Sequence, residues 1–418
     1  MILFHDIKTN QMPLLMLGWE FPPLHSGGLG VATRNIALSL SRRGVPVCFA
    51  LPHFVHSQWR KKGGIEHEFE VASQNMNIEI ARISSSIVTP YATVEGYSEW
   101  VREMGPTESM LYGKNLFAEI DRFSEEVARM AEKRSFNLVH AHDWITFPSA
   151  IRVKEKQGTP FVAHVHATEL DRTGWNPNEE IYRRERAGME RADRILAVSR
   201  HTKNVIQKDY GIPEHKIGVV HNGAESVHHR LEYVSPRFRH QKTILFLGRL
   251  TVQKGPDWLI KIAKKVLEKD QNVQFLIAGT GHMLPQLLHE ITTSGLSQHV
   301  IPLGFLNDSE REKAFKNTDL YIMPSVSEPF GLSAIEAAQR GIPVIMSKQS
   351  GAKEVLSNSL LADFWDVDKM AHLVLAALHY HPLHQTLSEK AHGEIKHLTW
   401  DRQAEKICHE YKALTSAF

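Results

Sequence analysis

A chain of 418 residues is too long for one hydrophobic core, so two domains of about 200 residues each are expected. A hydrophobic fraction of 42% with 23% charged residues is ordinary for a globular protein. The 49 Lys and Arg residues against 47 Asp and Glu residues leave a net charge of +2, which argues against nucleic acid as a chain-wide partner and still allows a local basic cleft.

The two cysteines, Cys48 and Cys408, are far apart and show no ligand spacing, which favours a reducing cytoplasm over a disulfide framework or a zinc knuckle. No apolar run reaches the roughly 18 residues that span a membrane. The N-terminal stretch lacks the basic start and the cleavage site of a signal peptide. We expect a cytoplasmic protein without a transmembrane segment, and the sequence leaves open both peripheral membrane contact and the oligomeric state.

The first half of the chain repeats an apolar run followed by an amphipathic segment. It begins with a predicted strand at Met12–Leu17, a helical segment ATRNIALSLSRRG and a second apolar run, VPVCFALP. Between Glu66 and Tyr91 the pattern alternates more loosely, which predicts an antiparallel excursion. It resumes with the apolar runs of NLVHAHD, PFVAHVHA, RILAVS and IGVVHNG.

The pattern restarts after the polar stretch Ser235–Lys242, with TILFLGR, VQFLIAG, VIPLGF, LYIMPS and PVIMS separated by helical segments. Continuous apolar strands that alternate with helices are typical of parallel sheets covered on both faces. We therefore predict an α/β protein with two doubly wound domains, residues 1–237 and 238–398. The tail Thr399–Leu414 is amphipathic and predicts one further helix, capped by Thr399 or Asp401.

In open parallel sheets, ligands bind where the carboxyl ends of strands feed helix N-termini. The first such loop is WEFPPLHSGGLG, in which Gly27, Gly28 and Gly30 open a helix predicted to begin near Val31. Glycines let the backbone approach a ligand closely, and the free amides there favour an anion. The spacing is not G-x-G-x-x-G, so the dinucleotide fingerprint fails, and a plain tight turn is the alternative.

The second loop is GRLTVQKG, which places Arg249 and Lys254 after the first strand of the second domain. Two cations at the carboxyl end of a strand suit a diphosphate, because arginine grips phosphate oxygens through two hydrogen bonds. A solvated surface loop is the alternative.

Three polar residues end two apolar strands of the first domain: His142, Asp143 and His166. Histidine and aspartate are good metal ligands, so a metal site is one interpretation. No Glu-x-x-His or His-x3-His helix is present, and we favour hydrogen bonding to a polyhydroxylated substrate.

The fourth stretch, SEPFGLSAIEAAQRG, places Glu328 before an apolar helix and Glu336 inside it. Glu336 lies within roughly 40° of Leu332 around that helix, so its carboxylate needs a partner or a cleft. The amides of Gly331 and Leu332 at the helix start favour an anion. A sugar joined through a diphosphate to a ribose fits this arrangement, and two capping carboxylates are the alternative.

Taken in order, the motifs FPPLHSGGLG, HAHDW, AVSRHTKN, VVHNG, LGRLTVQKG and SEPFGLSAIEAAQRG resemble the glycosyltransferases of family 4. This resemblance implies the GT-B fold, in which two Rossmann-like domains face a cleft, and a retaining reaction. HAHDW and the terminal aromatic helix resemble glycogen and starch synthases in particular. Two positions depart from those synthases: His25 stands at their lysine position and Val31 at their aspartate position.

The resemblance implies a role for each candidate residue. Arg249 and Lys254 would neutralise the donor diphosphate, while Glu328 and Glu336 would hold the hydroxyls of the sugar and of the ribose. His166 would lie beside the donor sugar and Asp143 near the acceptor. The remaining donor-binding residues would be Gly27, Gly28, Phe330, Gly331 and Leu332. The C-terminal helix, residues 399–418, would pack back on the first domain.

The function implied is transfer of a sugar, glucose in the first instance, from an ADP- or UDP-sugar to a carbohydrate acceptor such as an α-glucan, without a metal or other cofactor. Two alternatives stay open: an inactive protein that binds nucleotide sugars, and an enzyme that acts on a small glycoside or a lipid. A pyridoxal-phosphate phosphorylase would need a Schiff-base lysine that no motif marks. The acceptor pocket would be built from loops such as Tyr91–Lys114 and Asp171–Glu180.

Overall fold

The computed structural model describes residues 13–20, 27–53, 77–85, 115–225 and 241–416. Its first sheet has seven strands in these segments, all parallel to their neighbours: β1 (Leu14–Leu17), β2 (Val47–His53), β3 (Ile78–Ser84), β4 (Leu138–His142), β5 (Phe161–Val165), β6 (Arg194–Ala197) and β7 (Ile217–Val219). Their spatial order is β3-β2-β1-β4-β5-β6-β7. The order reverses beside β1, where a doubly wound sheet opens a crevice for ligands.

The second sheet has six parallel strands: β8 (Lys242–Leu247), β9 (Val273–Ala278), β10 (Val300–Gly304), β11 (Leu320–Met323), β12 (Val344–Ser347) and β13 (Leu360–Ala362). Their order is β10-β9-β8-β11-β12-β13, so its reversal lies beside β8. Two doubly wound sheets confirm the predicted fold class. The predicted boundary at residues 237 and 238 lies outside the described residues and stays a prediction.

Helices cover both sheets. Those that precede β8 are α1 (Gly28–Arg42), α2 (Leu116–Glu132), α3 (Phe147–Gln157), α4 (Glu169–Thr173), α5 (Glu179–Arg191) and α6 (Arg200–Asp209). Those that follow it are α7 (Pro256–Leu267), α8 (Leu284–Thr293), α9 (Asp308–Lys316), α10 (Leu332–Gln339), α11 (Val367–His379), α12 (His381–Ile395) and α13 (Trp400–Lys412). None of the helices in the described segments is long and apolar enough to cross a bilayer.

The strands read as continuous apolar runs because each sheet is buried on both faces. Leu15 and Val139 enter the core on one face of the first sheet, and their neighbours Leu14 and Leu138 enter the core on the other. Successive side chains of a strand point to opposite faces, so a strand between two helical layers is apolar at every position.

The antiparallel excursion predicted between Glu66 and Tyr91 is wrong for the part that the structure describes. Strand β3 pairs with β2 in parallel, with Val47 opposite Ile78. The looser alternation fits the place of β3 at the edge of the sheet, where no strand of the described residues pairs with its second side. The rest of that stretch lies outside the described residues.

Helix α13 lies against α1 of the first domain. The Thr399 side chain caps it by accepting a hydrogen bond from the Arg402 amide at 3.3 Å. Arg42 pairs with Asp401 at 2.8 Å, which ties α1 to the start of α13. The face that packs against the first sheet is fully or nearly fully buried and consists of Trp400, Ala404, Ile407 and Tyr411.

Candidate functional site

The starts of helices α1 and α10 face each other between the two domains. A Cβ atom added at Gly28 would lie 3.7 Å from Cδ1 of Leu332, which is an ordinary van der Waals distance. Helix α1 begins at Gly28, earlier than the predicted start near Val31, because Gly27 is its N-cap and accepts from the Val31 amide at 3.1 Å. Gly27, Gly28 and Leu332, all predicted to bind the donor, therefore lie at one junction.

Lys254 pairs directly with Glu328. Its Nζ lies 2.5 Å from Glu328 Oε2, and the two side chains are 18% and 6% exposed. Gly255, which follows the lysine, has a φ of +65°, and a Cβ there would lie 2.3 Å from the Pro324 carbonyl oxygen. Only glycine fits such a close approach. The loop after β8 is thereby pressed against the loop after β11, which brings the lysine to the carboxylate.

Arg249 lies in the same loop, partly exposed, with its Nη2 3.4 Å from Gln253 Oε1. Its charge also acts on Glu20 of the first domain, whose pKa it lowers against a larger upward effect of burial. Arg249 thus lies close enough to the first domain to act on Glu20, whereas Lys254 pairs with Glu328 inside the second domain, and their predicted role at a diphosphate stays a prediction.

The backbone around Glu328 is fixed from two sides. Its amide donates to the Gln349 carbonyl at 2.9 Å, and its own carbonyl accepts from the Gly351 amide at 2.8 Å. The Ser325 hydroxyl lies 3.3 Å from Glu328 Oε2. With the lysine, these contacts set the direction of a carboxylate in a residue that is only 4% exposed.

Helix α10 begins directly after this loop. Gly331 is its N-cap with a φ of +103°, a conformation that favours glycine. Among the described residues no acceptor pairs with the amides of Gly331, Leu332 or Ser333. Unpaired amides at a helix start are suited to an anion. The Phe330 side chain is buried and stacks on His221, with ring centroids 5.8 Å apart.

Glu336 lies one turn into α10 with one carboxylate oxygen unused. Its Oε2 is buried and accepts no hydrogen bond from any described residue. Arg311 Nη1 is 3.9 Å away, and burial raises the pKa of Glu336 above its ordinary value, more than Arg311 and Arg340 lower it. A buried oxygen without a donor is costly, so a ligand hydroxyl at this position would be stabilised.

Four histidines form one stack at strands β4 and β5: His140 and His142 on β4, His164 on β5, and His166 directly after β5. His142 lies opposite His164 in the strand register. His142 Nδ1 is 2.9 Å from His166 Nε2, and His140 Nε2 is 3.1 Å from His164 Nδ1. Burial lowers the pKa of His140 and of His166 to about 3, so these rings are neutral at physiological pH.

The residues of this stack that could hold a metal ion differ from those predicted from the sequence. Ligand atoms of His140, His142 and His164 lie within 4.8 Å of one another and could hold a metal ion. The predicted trio of His142, Asp143 and His166 is not that group, because Asp143 Oδ1 accepts from the His166 amide at 2.6 Å. The ring-to-ring hydrogen bonds engage a nitrogen of each of the four histidines, and the favoured interpretation of hydrogen bonding to a polyhydroxylated substrate stays a prediction.

Asp143 acts on the backbone of the turn that carries His166. It has a φ of 60°, unusual for a residue other than glycine, and its Oδ1 also lies 3.4 Å from the Ala167 amide. Burial raises its pKa to about 6. Its predicted place near an acceptor stays a prediction.

Sequence reasoning missed Glu20, which follows β1 in the run WEFPP. Glu20 is 4% exposed, and its Oε2 accepts from the Gly30 amide at 3.1 Å. Burial raises its pKa to about 7. A carboxylate directly after an apolar strand, at the edge where ligands bind, was the available signal.

Two facing Rossmann-like domains with these loops between them define the GT-B class of proteins. The sequence profile described as "Glycosyl transferases group 1" matches residues 232–393, and "Glycosyltransferase Family 4" matches residues 26–226. The two profiles together cover most of the chain, which belongs to the glycosyltransferases of family 4.

A glycogen synthase of Mycobacterium tuberculosis is 25% identical to this chain over 83% of it and 80% of that protein. Sucrose-phosphate synthase from Thermosynechococcus elongatus superposes with a TM-score of 0.74 at 17% identity, over 98% of this chain and 100% of that one. Anabaena HepE, solved in complex with UDP-glucose, gives a TM-score of 0.70 at 16% identity, over 96% and 100%. These likenesses confirm the GT-B fold.

Proposed function

We propose that this glycosyltransferase moves a hexosyl group, glucose in the first instance, from a nucleotide diphosphate sugar to a hydroxyl of a carbohydrate acceptor. The observation that carries the proposal is the Lys254–Glu328 pair, 2.5 Å between Nζ and Oε2, beside amides at the start of α10 that have no acceptor among the described residues. A cation and helix amides suit a diphosphate, and a carboxylate suits the hydroxyls of the sugar attached to it.

The remaining residues are assigned around that centre. Arg249 joins Lys254 at the diphosphate, Gly27 and Gly28 face it from the first domain, and Glu336 takes the ribose hydroxyls. His166 lies beside the transferred sugar, and Asp143 holds the turn that carries it through the His166 amide. UDP-glucose is the first donor to test because the HepE structure contains it.

We infer a retaining reaction by front-face substitution. The bond between the anomeric carbon and the phosphate oxygen breaks, and the bond to the acceptor oxygen forms on the same face of the sugar. The acceptor proton passes to the departing phosphate oxygen. Arg249, Lys254 and the α10 amides stabilise the negative charge of the leaving group, an electrostatic effect usually worth several kcal/mol.

The two cations take the place of a metal in this proposal. Turnover is therefore expected to be unchanged in EDTA, with the same enzyme in added magnesium as the reference. Loss of activity in EDTA that magnesium restores would contradict it.

Two observations bear on the identity of the acceptor. The glycogen synthase relative suggests an α-glucan, whereas His25 and Val31 depart from the synthase pattern. The loop at residues 91–114 lies outside the described residues. Small glycosides and lipid acceptors are therefore tested alongside glucose oligomers.

The test is a thermal-shift screen of nucleotide sugars, followed by turnover of each hit with the acceptor panel. We expect UDP-glucose or ADP-glucose to raise Tm and to release the nucleoside diphosphate when an acceptor is present. Donor binding by calorimetry without turnover across the panel would favour the inactive nucleotide-sugar-binding protein instead.

A further inference from the structure

The residue before Glu328, Ser327, makes a side-chain hydrogen bond to the first domain. The Ser327 hydroxyl lies 2.5 Å from Asp171 Oδ1, and both residues are fully buried. Asp171 belongs to α4 of the first domain, whereas Ser327 precedes α10 of the second. This hydrogen bond therefore joins the two walls of the candidate site directly.

The second oxygen of Asp171 is bonded within its own domain. Asp171 Oδ2 accepts from the Thr168 amide at 2.9 Å and from the Thr168 hydroxyl at 2.7 Å. Thr168 lies two residues after His166, in the turn that leads into α4. One carboxylate thus connects the turn that carries His166 with the loop that carries Glu328.

The residue after Glu328 is held by the first domain as well. The Ser199 hydroxyl donates to the Pro329 carbonyl at 2.6 Å, and His201 Nε2 lies 3.2 Å from Ser327 Oγ. Both partners come from the start of α6. The residues on either side of Glu328 are therefore each hydrogen-bonded to side chains of the first domain: Ser327 through its hydroxyl and Pro329 through its carbonyl.

Helix α4 also touches the loop of Lys254. A Cβ at Gly174, just after the helix, would lie 3.1 Å from Cγ1 of Val252, in the turn that ends at Lys254. The same short helix thus contacts the loops that supply both members of the Lys254–Glu328 pair.

We propose that Asp171 and Ser327 are positioning residues whose hydrogen bond sets Glu328 against the donor sugar when the two domains meet. This inference rests on the proposed function. Catalytic groups displaced by about 1 Å can lose about 10²-fold in rate, so a bond one residue from Glu328 has a large effect without touching substrate. A looser junction also admits water, which competes with the acceptor for the donor.

Ser327→Ala removes one hydroxyl from this junction. We expect kcat for transfer to fall between about tenfold and a hundredfold, with little change in KM for the donor and a larger share of donor lost to hydrolysis. The matched control is Ser357→Ala, whose hydroxyl bonds Glu394 on the surface of the second domain. The control should behave as wild type, and a Ser327→Ala enzyme with wild-type kcat and hydrolysis would overturn the proposal.

In Asp171→Asn the amide oxygen can still accept from Thr168, whereas the amide nitrogen that replaces Oδ1 can no longer accept from the Ser327 hydroxyl. Ser327→Ala alone leaves the buried Asp171 carboxylate with one hydrogen-bond donor fewer. The double variant Asp171→Asn/Ser327→Ala also removes that buried charge. If the two residues act through one bond, the double variant is no slower than the slower single variant. Losses that multiply would show that they act independently and would overturn the proposal.

Hydrogen–deuterium exchange on the ligand-free protein gives a measurement that needs no substrate. We expect faster exchange in α4 and in residues 325–330 of Ser327→Ala than in wild type or Ser357→Ala. If exchange is faster in Ser327→Ala but the wild-type protein turns over no donor, the interdomain hydrogen bond is supported and the proposed function is refuted. Unchanged exchange, or faster exchange with unchanged transfer, would refute the positioning role.

Discussion

Glu336 combines a buried carboxylate oxygen with an arginine that stays 3.9 Å away. The residue lies one helical turn beyond amides that have no acceptor among the described residues. In the proposed complex the diphosphate occupies the helix start, and the ribose attached to it extends toward Glu336. The unused oxygen would then receive a ribose hydroxyl.

Glu336→Gln tests this assignment through the ligand. We expect the affinity for UDP or ADP to fall about tenfold, because a hydrogen bond to a charged acceptor is worth about 1.5–3 kcal/mol. Wild type should prefer the ribonucleotide over its 2′- or 3′-deoxy analogue, and the variant should show a smaller preference, because an amide oxygen accepts a weaker hydrogen bond than a carboxylate. Titration calorimetry measures both, with the exposed Glu389→Gln as control. A variant that discriminates as strongly as wild type would show that Glu336 does not bind the ribose.

For single residues, the sequence indicated which side chains are candidates for the site better than it indicated which atoms they contact. Lys254 and Glu328 were both predicted as site residues, but their pairing depends on a fold that brings positions 74 apart together. For Asp143 the sequence predicted a place near the acceptor, which stays a prediction, but it did not predict that the carboxylate accepts hydrogen bonds from the His166 and Ala167 amides. Contacts with the backbone leave no sequence pattern, so such a role could not be read from residue type.

Among the elements, α10 depends most on one residue. Gly331 has a φ of +103°, and a Cβ there would lie 3.0 Å from Met323 Cε and 3.3 Å from Glu328 Cγ. The left-handed conformation lets the chain turn from the Glu328 loop into the helix within one residue. The glycine therefore sets both the amides of α10 and the approach of Glu328.

Gly331→Ala should destabilise the protein by about 1–3 kcal/mol, the range for a strained backbone position. The matched control is Gly393→Ala in the helix α12, where an added Cβ meets nothing within 4 Å. That change should stabilise by up to about 1 kcal/mol, because alanine is the better helix former. Chemical denaturation gives both values, and equal stabilities for Gly331→Ala and wild type would contradict the reading of this turn.

The element pattern was the most predictable part of the chain. Apolar runs bounded by turns located the strands because both faces of each sheet are buried. The orientation of β3 was missed, since an edge strand alternates in either orientation and the direction of pairing is set by its connection. The start of α1 was placed too late because glycines give no periodic signal.

At the scale of the whole molecule, the last helix is joined to the centre of the first sheet. Tyr411 of α13 shares a hydrogen bond of 2.5 Å with His140 Nδ1, at the inner end of the histidine stack. Helix α13, which follows the second domain in the sequence, is therefore part of the hydrophobic core of the first domain. The sequence indicated the apolar face of α13, but not the imidazole to which its tyrosine is bonded.

The histidine stack predicts how stability depends on pH. His140 and His166 have pKa values near 3 when folded, below the ordinary 6.5, because burial disfavours their charged form. The unfolded chain therefore binds more protons below pH 6.5. The free energy of unfolding should fall as the pH drops from about 6.5 toward 3, by up to about 1.4 kcal/mol per pH unit for each such group.

His140→Gln should make this slope shallower, while His409→Gln on the exposed face of α13 should leave it unchanged. Denaturant titrations at several pH values between 4 and 7 measure the slopes directly. Identical slopes for His140→Gln and wild type would show that the buried imidazole does not control acid stability.

In the proposed reaction Lys254, with Arg249 and the α10 amides, takes up the negative charge released when the glycosyl–phosphate bond breaks. Lys254→Ala leaves the buried Glu328 carboxylate without its cation, so its fold is checked by circular dichroism. Arg249→Ala, which leaves the Lys254–Glu328 pair intact, serves as a second variant. Lys261→Ala, a surface change on α7 that lies over the Trp258 ring, is the control.

The most direct measurement is kcat/KM for the donor in these variants. We expect a loss of at least about 10²-fold in Lys254→Ala and a clear loss in Arg249→Ala, with Lys261→Ala at the wild-type value. Folded Lys254→Ala and Arg249→Ala enzymes that both transfer sugar at near-wild-type rates would contradict the proposed reaction.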